Sequence, residues 1–163
     1  MSDFIQLKKD DVLRLGIRTA DGKDTGEFLE FDLEDVELAL KYQELLEKDK
    51  KNKEQLRNQI LIIEKRQDVK GKKLISKNEE DKIKAMSDFF KKEAEIYNIL
   101  LGENGVEKLL NGRRLGWTSL QEIDEIIEKQ IIPRLNTKME KVVDKIKDKY
   151  GINKKQNDAE VLE

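Results

Sequence analysis

The chain has 163 residues, 42% charged and 37% hydrophobic, with a net charge of −2, a size that supports one domain, or one domain with a helical extension. It contains no cysteine and no histidine, which excludes disulfides, thiolate nucleophiles, Cys/His zinc sites and the commonest acid–base group near neutral pH. Positive and negative charges balance, so no bulk electrostatic case for nucleic acid exists.

An enzyme of this composition would have to arrange Asp, Glu, Lys, Ser or Tyr around a pocket. No spacing marks such a pocket, so the sequence reads as non-enzymatic, and it nominates no catalytic, cofactor-binding or metal-binding residue. Charge is nonetheless uneven along the chain. Nine acids lie between Asp24 and Glu47 against Lys41 alone, and seven lysines lie between Lys138 and Lys155 against three acids. Either helix dipoles account for this, or the two ends attract in head-to-tail self-association. No apolar run approaches the roughly 18 residues of a membrane span, and MSDFIQLKKDD lacks the apolar centre of a signal peptide; the expectation is a cytoplasmic protein with no membrane or nucleic-acid partner.

In chain order, Val12, Leu13, Leu15 and Ile17 lead to a turn at 20–24, and Phe28, Leu29 and Phe31 follow. This predicts a β-hairpin with a tight Asp21-Gly22 turn, its second arm turning Leu29 and Phe31 to one face and Phe28 and Glu30 to the other. Two strands alone are marginal, so the ribbon must pack on a helix or pair with another copy's edge. Asp32 is the N-cap candidate for a helix over about 33–66, with an apolar face of Val36, Leu38, Ala39, Leu40, Tyr42, Leu45 and Leu46 and a solvated polar middle at 47–55. Two helices meeting near 49–52 are the alternative, and the lack of Gly or Pro favours one.

Residues 68–78 read as a loop, with Ser76 or Asn78 capping the next helix. There Ile83, Met86, Phe90, Tyr97 and Leu100 form a stripe widened by Phe89, Ile96 and Ile99. Gly102 ends that helix, Val106–Leu110 forms a short one closed by Asn111-Gly112, and Thr118 or Ser119 caps the last, with Glu122 completing a capping box. Leu120, Ile123, Ile127, Ile131, Leu135, Met139, Val142, Ile146 and Tyr150 stay in phase through Pro133, where the helix either kinks or stops and restarts. The fold class is mainly α with a small N-terminal β-hairpin, a helical bundle with long helices; a ribbon (1–32), a helical domain (33–150) and a mobile tail (151–163) divide the chain.

The stretch 97–132 holds four glycines, at 102, 105, 112 and 116, among apolar pairs and between charged, glycine-poor helices. Specificity belongs there, because the chain turns repeatedly while staying hydrophobic. Neither GENG nor GRRLG has the spacing of a phosphate loop. Candidate partner-binding residues are Phe89, Phe90, Tyr97, Arg113, Arg114, Trp117, Ile123 and Ile127. The arginine pair suits a carboxylate-bearing partner, and Trp117 is either an interface anchor or a staple ahead of the last helix.

The order of helix, Leu101-Gly102-Glu103-Asn104-Gly105, short helix to Leu109-Leu110-Asn111-Gly112, glycine-containing loop and capped helix 120–132 resembles the tail assembly chaperones of long-tailed phages of Gram-positive bacteria. Gly102, Glu103, Gly105, Leu109, Leu110 and Gly112 carry the motif, with Leu101 and Leu110 standing where the family often has phenylalanine. The resemblance covers about forty residues. It implies a non-enzymatic factor that coats the tape-measure protein in the host cytoplasm until tail-tube protein polymerises, with self-association and no cofactor. A structural or adaptor protein of a phage-type tail particle is the alternative, and a small enzyme or nucleic-acid module a third class.

Overall fold

The structure, a computed structural model, describes residues 3–9, 11–71, 74–149 and 151. It is mainly helical behind an N-terminal antiparallel ribbon of β1 (Val12–Arg18) and β2 (Asp24–Asp32). The register pairs Val12 with Asp32 and Leu15 with Leu29, and slips between Gly16 and Arg18. The connection is longer than the two-residue turn expected. Thr19 and Lys23 close it through a 2.8 Å backbone bond, and Gly22 takes φ +85° ahead of the closing residue. Leu29 and Phe31 are buried with Ile17, and Phe28 faces out, as the alternation of the second arm requires.

Helix α1 (Leu38–Lys65) is one continuous helix, but it starts later than the sequence suggests. Asp32 caps no helix: its carboxylate accepts from Glu34 N–H at 3.0 Å, and Asp35 accepts from Glu37 N–H at 2.9 Å. Two successive side-chain-to-backbone turns therefore use up the first acids before the helix begins. The broad apolar face also narrows, with Val36, Leu40 and Leu46 exposed and Leu38, Leu45, Asn52, Leu56 and Ile63 buried. Those five positions fall seven, seven, four and seven residues apart, the spacing of a coiled-coil seam.

The partner is α2 (Lys77–Leu101), whose buried residues are Phe89, Glu93, Ile96, Tyr97, Leu100 and Leu101. Asn78 Nδ2 bonds the Ile63 carbonyl and Asn52 bonds Glu93, so the two helices run antiparallel. Ser76 caps α2 by accepting from Glu79 N–H at 3.2 Å. Asp68 organises the connecting loop: hydrogen bonds from Ser76, then from Asn78 N–H, hold its carboxyl below the usual carboxylate range. Arg66 to Asp81 at 2.8 Å and Lys82 to Glu64 at 3.2 Å add surface ion pairs across the same end, each of modest worth.

Gly102, at φ +89°, ends α2, and α3 (Gly105–Leu110) packs with α2 and β2. Asn98 fastens this corner, accepting from Val106 N–H at 2.8 Å and donating to Glu107 at 3.0 Å. Helix α4 (Trp117–Ile126) then begins three residues earlier than a Ser119 cap would place it. No capping box forms: Ser119 Oγ accepts from Gly116 N–H at 2.8 Å, inside the first turn. At Pro133 the helix does not stop and restart. A π-helical turn, Ile127–Ile131, leads directly into α5 (Ile132–Lys149), with Ile132 N–H reaching back to the Ile127 carbonyl. Proline lacks an N–H and crowds the carbonyl four residues back, and a wider turn just ahead of it relieves both problems while the helix continues.

By internal contacts the chain falls into two units, 1–121 and 122–163. Tyr150, the Val142 side chain and the tail beyond Gly151 lie outside the described residues. No helix among the described residues is long and apolar enough to cross a membrane.

Candidate protein-interaction site

The glycine-rich turns bring together three of the nominated aromatic residues. Asn111 and Gly112 both take positive φ, Arg113 N–H bonds the Leu110 carbonyl at 3.0 Å, and Leu120 N–H bonds the Gly116 carbonyl at 2.9 Å. These bonds fix the backbone on either side of Arg113 to Gly116 and deliver Trp117 onto α2. Its ring lies 5.2 Å from Phe89, tilted by 31°, and 4.9 Å from Phe90, edge-on at 70°; Phe89 and Phe90 are themselves edge-to-face at 5.0 Å. Such arrangements add to burial through the ring quadrupoles.

The three rings differ in exposure, and that decides what each can do. Phe89 is buried, Phe90 is half-buried, and Trp117 keeps 53% of its surface in water. Phe89 is therefore the footing and Trp117 the face of the platform. Arg113 and Arg114, on the loop leading to it, are exposed. Its ring contacts hold Trp117 on α2 while about half of its surface stays in water. Tyr97 lies elsewhere: at 1% exposed it is a core residue one turn and more beyond the platform. Ile123 and Ile127 are buried in the second unit. Among the motif residues Gly105 is buried, Leu109 and Leu110 are half-buried, and Gly102, Glu103 and Gly112 are exposed.

Sequence reasoning overlooked the polar cluster beneath the platform. Asn52 Nδ2 donates to the Phe89 carbonyl at 3.2 Å and to Glu93 Oε1 at 2.9 Å, within the α1–α2 seam. Glu93 is wholly buried and Asn52 nearly so. Burial, and then the hydrogen-bonding and charge of Asp49, push the Glu93 carboxyl up to about 8, against the opposing pull of Asn52 and Lys53. Asp49 Oδ1 and Glu93 Oε2 are both buried with no other partner. A proton held by Glu93 and donated to Asp49 satisfies both oxygens, while Asp49 Oδ2 meets Lys53 at 3.0 Å. The raised value favours the neutral acid at Glu93, which, being wholly buried, has Asp49 as the acceptor for its proton. The available signal was the heptad step from Leu38 through Leu45 to position 52, which a hydropathy reading of the polar segment 47–55 hides.

Beside the cluster runs a shallow groove of about 420 Å³ lined by Lys48, Lys51, Gln55, Lys92, Glu95 and Ile99. Among the described residues no group of three or more acidic side chains is placed to hold a metal ion. The arrangement offers a rigid aromatic surface with flanking guanidinium groups, which is the equipment of a protein-binding surface. No family model matches this chain, and none of the curated proteins or solved structures compared with it is similar.

Proposed function

We propose that this protein is a non-enzymatic assembly factor, a phage-type tail assembly chaperone that binds the helical tape-measure chain before tube protein polymerises around it. The observation that carries the reading is the half-exposed Trp117 on its Phe89–Phe90 footing, inside the very segment whose glycine pattern resembles that family. A helical client presents apolar residues at three- and four-residue spacing, and a rigid indole with an aromatic neighbour covers such a stripe at low entropic cost. Arg113 and Arg114 would pair with acids flanking it.

Purified protein mixed with a tape-measure fragment should co-migrate in size exclusion, and Trp117→Ala should remove the complex while the protein stays folded, its lost ring contacts costing about 1–3 kcal/mol. A wild-type protein that never engages such a client would sink the proposal. Mass spectrometry of finished particles separates the alternative, because a chaperone is lost on maturation and a structural or adaptor component is retained.

A further inference from the structure

We propose that residues 3–9 form an exchanged strand that adds, in parallel register, to the outer edge of β2 in a second copy of this chain. Phe4, Ile5 and Leu7 are 90%, 102% and 94% exposed, and among the described residues no hydrogen bond ties 3–9 to the rest of the protein. Three large apolar side chains held in water within four residues are a standing driving force for burial. The acceptor is equally incomplete. Among the described residues the ribbon has only two strands, and no backbone hydrogen bond from Phe28 to Phe31 leaves it; at its far end the Asp32 carbonyl is taken by Asp35 N–H at 3.0 Å. Farther back the edge is closed to addition, because Gly26 N–H and Glu27 N–H are taken by Asp24 and Thr25 side chains. Four residues of edge therefore remain, 28–31.

The side chains choose the direction. Leu29 and Phe31 face the core and Phe28 and Glu30 face out. Laid parallel, Phe4 stands beside Phe28, Ile5 beside Leu29, Gln6 beside Glu30, Leu7 beside Phe31 and Lys8 beside Asp32, so apolar meets apolar on both faces and the lysine meets an aspartate. The antiparallel register over the same span sets Phe4 against Asp32 and Lys8 against Phe28. The arm of the same copy is poorly placed to reach this edge. It would have to cross the end of β2, where Leu33 N–H is bonded to the Asp11 carbonyl at 2.9 Å. The occupant is thus a second copy, and the proposal stands apart from the client reading above.

Because the chain has no cysteine, introduced thiols report pairing without background. A mixture of singly substituted Gln6→Cys and Glu30→Cys chains should form a disulfide-linked heterodimer under mild oxidation, whereas Gln6→Cys mixed with Arg14→Cys, on β1, should not. Leu7→Asp changes a residue that is solvated in the single chain, so its fold should be kept while self-association by light scattering weakens at least tenfold. Wild-type protein that stays monomeric at high concentration, self-association untouched by Leu7→Asp, or a disulfide that forms only within one chain carrying both cysteines would each overturn the proposal.

Discussion

A methyl group at Gly105 would meet Leu101 Cβ at 2.5 Å, with Asn98 Oδ1 and Leu29 Cδ2 close behind at 3.5 and 3.6 Å. Leu101 Cβ cannot swing aside cheaply, since a Cβ is fixed to backbone, while the other two lie at ordinary contact distance. Gly105→Ala should destabilise the fold by about 1–3 kcal/mol, as overpacked cores do; an unmoved urea midpoint would count against so tight a corner. Gly102 looks the same in the sequence, yet its reason is different. It has open space around it and φ +89° with ψ 179°, backbone that a side chain resists; because Gly105 N–H bonds the Gly102 carbonyl at 3.1 Å, the two substitutions should couple rather than add when combined. The sequence shows that the chain must turn here; it does not show which glycine serves conformation and which serves packing. Asn98, which joins α2 to α3 through its 2.8 Å bond from Val106 N–H, gave no signal at all, because an asparagine within a helix reads as surface. Arg113→Glu with Arg114→Glu should weaken the proposed client binding and leave the unfolding free energy within about 0.5 kcal/mol of wild type, the range of exposed changes, with binding titrations and chemical denaturation as the checks.

At the scale of elements, the α1–α2 hairpin was legible as two long helices, and its polar middle was misread. Segment 47–55 looks solvated because hydropathy averages over all faces, while Asn52 continues the seam from Leu38 and Leu45 and is 4% exposed. Its two donated bonds set the register of α1 on α2, the use to which a lone polar residue in a seam is best suited. Asn52→Leu leaves Glu93 and the Phe89 carbonyl without their donor and should cost about 1–3 kcal/mol, measurable by chemical denaturation. The caps divide likewise. Ser76 was readable because a serine three residues before Glu79 opens an unbroken helix. Ser119 misled because Gly116 and Trp117 start α4 sooner.

For the whole molecule, stability should peak in mildly acidic solution. Glu93 is raised from 4.5 to about 8 in the folded state, so the native protein binds the proton more tightly than the unfolded chain. Its stabilisation is full below about 4.5 and declines as pH rises to about 8, by at most about 1.4 kcal/mol per pH unit. The groups facing it are Asp49 and Lys53 from α1, with Lys48, Lys51 and Lys92 along the adjoining groove. On the acid side the shifts run the other way. Lys41 lowers Asp35, Ser76 lowers Asp68, and Arg66 lowers Asp81, so their contribution is present above the ordinary 3.8 and lost as pH falls through their lower folded values. Melting temperature followed from pH 3 to pH 9 should rise and then fall, and Glu93→Gln should flatten the falling limb alone; an unchanged limb would mean that Glu93 is already ionised at neutral pH. The mainly helical class with its hairpin was written in periodicity. The Trp117–Phe89–Phe90 platform was only half written, because tertiary folding selected which of eight nominated side chains would meet. The π-helical turn at Ile127–Ile131 was not written at all, and it bears on chain length. A helix carrying one residue more than regular winding needs has a place to give one up. Removing Gln130 should restore ordinary winding ahead of Pro133, while the same deletion in the middle of α5 would turn every later side chain by about 100°.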